Sequence, residues 1–250
     1  MTNHEKLFKG EEFKLNDHIT IKHPTVGEVM EYGEQKYFSL VRAFTVTPSD
    51  MKSALFDNGF DWEEVEEIES FAYTIRGFRP VDTSILFGEN INFSDFIICI
   101  NNQNQEKALV EVENNKPKNN GCIIDSYTQM KISDYLRDMH SWTKNTERAG
   151  NEGTKQILID DERESIMMAQ RKPFQSALLP MLFAGVNSAD FKYDYESVKN
   201  LPIFLFLGSI KQIGAQKEIQ YIKQGIYSGC IDVKKSGISD SKLAWIQDLK

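Results

Sequence analysis

Cysteine is scarce and placed for none of its usual structural uses. The 250-residue chain has three, Cys99, Cys122 and Cys230, widely spaced and without a Cys-x-x-Cys pair, which excludes a disulfide framework and a cysteine-based zinc site. A reducing cytoplasm is the expectation. No apolar run approaches the roughly 18 residues that a membrane span requires, and Met1 to Phe8 shows no basic region followed by an apolar stretch. The chain is therefore expected neither to carry a signal peptide nor to cross a membrane. Positive charge is also short. A net charge of −8 argues against wrapping nucleic acid, which is held by clustered Lys and Arg. Apolar side chains make up only 40%. That is low for this length and predicts an elongated or subdivided molecule, or one that completes its core against a partner, a second copy included.

Catalytic signatures are missing as well. There is no Gly-x-Ser-x-Gly, no His-Glu-x-x-His, no phosphate loop ending in Gly-Lys-Ser/Thr and no Gly-x-Gly-x-x-Gly. The stretch Gly150 to Thr154 opens a helix but lacks the lysine and preceding strand of an anion cradle, so a plain loop is the better reading. His18 and His23 lie an odd number of positions apart and would face opposite ways on a strand. His140 ends an amphipathic helix, where a favourable interaction with the helix C-terminus accounts for it. No cofactor is implied.

What is present reads as mainly α with one inserted β-hairpin, an α+β fold of helical layers. Three stretches follow: a helical region over 1–80, a hairpin region and linker over 81–124, and a helical region over 125–250. In the first, Ile19 to Lys22 alternates as a short strand. Thr25 with Glu28 forms a capping box for a helix whose face is Val29, Tyr32, Tyr37, Leu40, Val41 and Phe44. Thr47-Pro48-Ser49-Asp50 starts a short helix that Asn58-Gly59 ends. A third starts at Asp61 with Glu64 as its box partner, carrying Trp62, Val65, Ile68, Phe71, Ala72 and Ile75 on one side. Beyond Arg79-Pro80 the period changes to two. Phe96, Ile98 and Ile100, then Ala108, Val110 and Val112, predict a hairpin whose charged side holds Lys107 and Glu111. Residues 114–121 read as an exposed linker or loop.

In the third stretch, Asp125 or Ser126 caps a helix facing inward with Ile132, Tyr135, Leu136, Met139 and Trp142. A charged helix over about 154–172, with Ile157, Leu158, Ile166 and Met167 as its apolar positions, stops at Pro173. The densest apolar runs, Phe174 to Phe183 and Leu201 to Leu207, predict two helices forming the core of the chain, the second ended by Gly225. The series Leu243, Trp245, Ile246 and Leu249 predicts a short amphipathic helix too small to be stable alone.

Two kinds of residue are candidates for recognition. Trp62 with Glu63, Glu66 and Glu67 forms an acidic face that either docks a basic partner or is a solvated outer surface, the plainer alternative. Leu243, Trp245, Ile246 and Leu249 would anchor either a partner or their own chain, and docking on their own chain is the commoner case. The nearest approach to enzyme chemistry is Asp95, Glu111, Glu113 and Lys116 on and beside the hairpin. Carboxylates and a lysine on adjacent strands are what a magnesium-dependent nuclease uses, but Glu113 to Lys116 leaves the strand where such a site wants acid and lysine one residue apart. The expectation is that these carboxylates hold no metal and that the chain is not an enzyme.

The stretch from Tyr37 to Trp62 with the acidic helix after it resembles proteins encoded in the tail-morphogenesis gene clusters of tailed bacteriophages and prophages of Gram-positive bacteria. Arg148 to Thr154, Leu201-Pro-Ile-Phe204, Gly225-Ile-Tyr-Ser-Gly229 and Leu243 to Leu249 extend the resemblance over most of the chain. Within that class the nearest function is the tail assembly chaperone, typically small, helix-rich and acidic. The resemblance implies binding to the tape-measure protein and to tail-tube subunits in the cytoplasm of the bacterial host. This chain is longer and carries the hairpin, so a structural tail or baseplate subunit of the virion is the alternative it leaves open.

Overall fold

The computed structural model describes residues 3–101, 105–231, 237–238 and 243. It is mainly helical with a small amount of sheet. Helix α1 (Asn3–Lys9) precedes a two-stranded ribbon, β1 (Phe13–Lys14) and β2 (Thr20–Ile21), paired antiparallel. The strand expected near Ile19 is thus β2; its partner and α1 lie in what reads as a polar tail.

The capping box of Thr25 and Glu28 forms as expected, but the helix it starts is interrupted. α2 (Val26–Tyr32) stops at Gly33 and α3 (Glu34–Thr45) begins there. Gly33 sits at φ 97°, a left-handed conformation that other residues adopt only with strain, and it bends the chain so that both helices bury their apolar sides. A 3-10 turn over Pro48–Asp50, boxed by Thr47 and Asp50, leads into α4 (Lys52–Asp57). The next helix does not start at Asp61: residues 61–65 form a turn, and α5 (Glu67–Ile75) is capped by Glu66 with Glu69. α6 (Pro80–Phe87) occupies residues expected to precede a hairpin without helix.

The sheet is larger than a hairpin. β3 (Phe96–Ile100) pairs with β4 (Lys107–Glu113), whose other side pairs with β5 (Lys116–Pro117) and β6 (Ile123–Asp125), all antiparallel. The exposed linker or loop expected over 114–121 is an exposed turn that also carries β5. The register Ile98↔Leu109↔Ile124 puts Phe96, Leu109 and Ile124, all buried, on one face with Lys107 and Glu111. Lys107 on that face pairs with Glu66 and Glu69 at the start of α5, so this is the side turned to the helices. The face opposite, expected to be the buried one, is open. Ile97 and Ile123, in one row with Val110, are 46% and 57% exposed.

α7 (Ser126–His140), capped by Asp125 through a 2.7 Å bond from Thr128 N–H, is the helix around which the rest assembles. It buries Gln129, Ile132, Ser133, Tyr135, Leu136, Arg137, Met139 and His140 and touches α1, α3, α5 and β6. One core cluster runs from Leu7 to Phe206 and draws on all three stretches of the chain. At its centre Phe44 meets Phe71, Phe78, Phe87 and Phe93 at ring separations of 4.7–6.0 Å. α7 also closes the end of α3: Ser133 donates to the Phe44 carbonyl at 2.7 Å and Arg137 to the Thr45 carbonyl at 2.5 Å, satisfying acceptors that a helix C-terminus leaves free.

The pair of apolar runs expected to form the centre lies to one side. α9 (Leu178–Val186) buries only Leu178, Leu182 and Gly185, and α10 (Ile203–Tyr227) is fully buried only at Ile203, Phe204, Phe206 and Ile219. They do pack on one another: a Cβ at Gly185 would stand 2.7 Å from the Ile210 Cδ1, so the glycine permits the approach. α10 runs through Gly225 to Tyr227, and the left-handed residue after it is Gly229. α8 (Glu152–Arg171) buries Ile159 alone, while Ile157, Ile166, Met167 and Met168 are exposed. No helix among the described residues is long and apolar enough to cross a membrane.

Candidate functional site

α8 is held by charge and hydrogen bonds more than by apolar packing. Ile159 is flanked one turn away on either side by Lys155, Glu162 and Arg163, which share its face of the helix. Lys155 pairs with Asp61 and Glu63, Arg163 with Asp57, and Glu162 accepts from Ser53 N–H and Oγ, both at 2.6 Å. The preceding loop is tied in similarly. Asn145 donates to the Ser49 carbonyl and Asp50, Ser49 and Thr47 donate to the carbonyls of Glu147 and Asn145, and buried Lys52 pairs with Glu147 at 2.8 Å.

The acidic candidates belong to this seam. Trp62 is buried beneath Lys52, whose ammonium lies 5.5 Å from its ring. Glu63 accepts from Ala149 N–H at 2.8 Å and pairs with Lys155; Glu66 caps α5 and pairs with Lys107; Glu67 pairs with Lys144. Their charges are met within the chain. Leu243 is half-buried, and Trp245, Ile246 and Leu249, with the C-terminal helix expected there, lie outside the described residues.

The hairpin carboxylates Asp95, Glu111 and Glu113 all act on the Lys118 ammonium and raise its pKa, Glu111 most through a direct ion pair. Burial raises the pKa of Glu111, but the Cys122 N–H at 2.9 Å and the Lys118 ammonium outweigh it and hold the carboxyl below its ordinary range. Asp95 is bonded to Asn92, and Glu113 is exposed opposite Lys116. Among the described residues no group of three or more His, Cys, Asp and Glu side chains is arranged to hold a metal ion.

An apolar groove of about 490 Å³ lies instead where α3, the end of α7, α9 and α10 meet. Its lining includes Phe38, Trp142, Phe174, Met181 and Leu207, with Glu34, Gln35, Arg42 and Gln175 also contributing. Each wall has a cause. Ser141 adopts a left-handed conformation at the end of α7, turning Trp142 out of the helix against Phe38 and His140 at 6.2 and 5.4 Å between rings. Trp142 is therefore not on the buried face expected for it. Glu34 reaches across to the start of α9, accepting from Ser176 Oγ and from the N–H groups of Ala177 and Leu178 at 2.7 and 2.9 Å. An anionic acceptor on free N–H groups at a helix start is favourable, and it fixes the wall that carries Met181.

The floor is neutral. His140 Nδ1 lies 2.7 Å from the Leu136 carbonyl and so carries the proton; Nε2 accepts from the Tyr37 hydroxyl at 2.8 Å. Burial pushes the His140 pKa down to about 4 and that of Tyr37 up. This replaces the interaction of a charged histidine with its helix end: the imidazole is uncharged at neutral pH. A second cavity, of about 1110 Å³ between Gly10 and Asn90, is polar, lined by Glu12, Glu28, Glu31 and Glu89 with Lys22 and His23.

Phe174, Met181 and Leu207, expected in the core, line this groove instead. A signal was there: Leu178, Leu179, Met181, Leu182 and Phe183 surround a short helix on every side, and a helix that is apolar all round must be buried by something. No family model, curated protein or solved structure matches this chain.

Proposed function

We propose that this chain is a non-enzymatic protein of bacteriophage tail morphogenesis, a tail assembly chaperone that binds the tape-measure protein and tail-tube subunits in the host cytoplasm. The phage assignment rests on the sequence resemblance. The observation that supports a binding role is the groove, whose lining residue Phe174 is more than half exposed. Exposed apolar surface of this kind marks protein interaction sites, and a groove between helices accepts the apolar stripe of an amphipathic partner helix. The methionines fit the role: Met167, Met168 and Met181 are at least a third exposed, and an unbranched, polarizable side chain adapts to varied apolar partners. Tape-measure helices are such partners.

The test is co-expression with the tape-measure protein of a Gram-positive phage tail cluster, with Met181→Glu and Leu207→Glu in parallel. The chaperone reading expects a soluble complex that either substitution abolishes, and expects the chain to be missing from purified virions by mass spectrometry. Its presence in virions at stoichiometric amounts would establish the structural tail subunit instead.

A further inference from the structure

The outer edge of the sheet carries a feature independent of the groove and of the phage reading. Asn101 N–H donates to the Glu106 carbonyl at 2.8 Å, so Asn101, Cys99 and Ile97 direct their backbone groups to β4. By the alternation of an antiparallel ladder, Phe96, Ile98 and Ile100 direct theirs away from it. The β4 side agrees, since Glu111 N–H donates to the Cys122 carbonyl on the opposite edge. Phe96 N–H is taken by the Phe93 carbonyl. The Phe96 carbonyl and both backbone groups of Ile98 and Ile100 have no backbone partner among the described residues.

Soluble proteins usually guard such an edge with a charge, a proline, a bulge or a covering loop. β3 has no charged residue and no proline, and it pairs with β4 one to one throughout. Its side chains are also open on both faces, with Ile97, Ile98 and Ile100 each 43–55% exposed.

We infer that β3 is a self-association edge, and that two copies of this chain join their sheets antiparallel about a two-fold axis through Ile98. The strand is self-complementary in that register. Ile98 of each copy exchanges both backbone bonds with Ile98 of the other, and each Ile100 N–H donates to the Phe96 carbonyl across the axis, using the groups left open and leaving the occupied Phe96 N–H out. Ile97 falls opposite Cys99, and Asp95 opposite Asn101, so no like charges face each other. Outward groups meet outward groups throughout, as an isologous interface requires. The same pairing makes the open rows of Ile97, Val110 and Ile123 from the two copies into one continuous apolar surface. A second copy is favoured over a foreign strand because the register, the free groups and the charges match with nothing added.

The experiment is light scattering at high micromolar concentration on the full chain and on Ile98→Lys. The wild type is expected at twice the chain mass and the variant at the chain mass, since two lysines would meet at the axis while Ile98 is open enough to leave the single chain folded. A variant that failed to fold would be recognised by circular dichroism, so a second measurement is made by cross-linking. Paired residues that exchange both bonds hold their Cα atoms about 5.5 Å apart, within disulfide reach. Ile98→Cys with Cys99→Ser and Cys230→Ser is expected to oxidise to a covalent dimer, and Ile123→Cys in the same background, on the far edge, is not. A monomeric wild type, a dimer that Ile98→Lys leaves intact, or equal cross-linking at positions 98 and 123 overturns the inference.

Discussion

The pairing of Tyr37 with His140 ties acid stability to one buried ring. The imidazole is buried, its pKa lowered to about 4 from an ordinary 6.5. Below pH 6.5 the unfolded chain takes up a proton that the folded one refuses, so stability is full above that pH and falls as pH drops toward 4. A shift of this size corresponds to about 3 kcal/mol. His23, whose pKa burial also lowers, acts in the same direction. Urea unfolding at several pH values between 7.5 and 4 is expected to show this loss, and His140→Asn to flatten it; a wild-type profile level across that window would contradict the neutral ring. Tyr37→Phe removes the donor to Nε2 and leaves a buried acceptor unpaired, at a cost of about 1–3 kcal/mol, readable as a fall in melting temperature at neutral pH. The sequence shows a histidine in the last turn of a helix and therefore suggests a charged one. Burial reverses that, because enclosing the charged form costs more than the helix end returns.

At the level of elements, three local helix starts were legible while the one expected at Asp61 gave way to the box of Glu66 with Glu69, and helix termini closed from a distance were not legible. Thr25 with Glu28, Thr47 with Asp50, and Asp125 act on residues within a turn of themselves, so spacing alone reveals them. By contrast α4 is capped by Glu162 of α8, α9 by Glu34 of α3, and the carboxyl end of α3 by Ser133 and Arg137 of α7. No local rule names those partners. The same limit left Ile159 out of the apolar positions expected for α8: Ile157 and Ile166, nine residues apart, fall on opposite sides of the helix and are exposed, whereas Ile159 is buried because its neighbours one turn away are the residues that bond to α4 and the acidic loop. Glu162→Ala is expected to destabilise by about 1–3 kcal/mol through the uncapped α4 N–H and Ser53 hydroxyl. Hydrogen exchange should localise the loss to α4 and α8. If protection fell uniformly across α3 and α7 as well, the seam would not be a separable docking contact.

Across the whole molecule, the low apolar content led to the expectation of an elongated or subdivided chain or of a core completed by a partner, whereas one core cluster draws on all three stretches. The mainly helical fold with a little sheet was readable from period and caps. The centre was misjudged because apolar density marks what must be covered, not what covers it: α7 is less apolar than α9 but is buried on more sides, through Tyr135, Arg137 and His140 as much as through its aliphatics. The sheet was reversed for a related reason. Leu109 between Lys107 and Glu111 looks like a solvent-facing strand side until Glu66 and Glu69 meet the lysine and Lys118 meets Glu111. The uncovered remainder, the groove of Phe38, Trp142, Phe174, Met181 and Leu207, makes a thermodynamic prediction. Removing apolar surface from water on binding lowers the heat capacity, so calorimetric titration with a tape-measure segment at several temperatures should give a negative heat-capacity change. Leu207→Glu puts a carboxylate into that wall and should weaken the complex at least tenfold, because an unpaired charge left without water costs well over the 1.4 kcal/mol that a factor of ten represents. Glu66→Gln in the acidic seam, whose partner Lys107 lies within the same chain, should leave affinity unchanged. Affinity lost with Glu66→Gln and retained with Leu207→Glu would move the recognition surface from the groove to the acidic face.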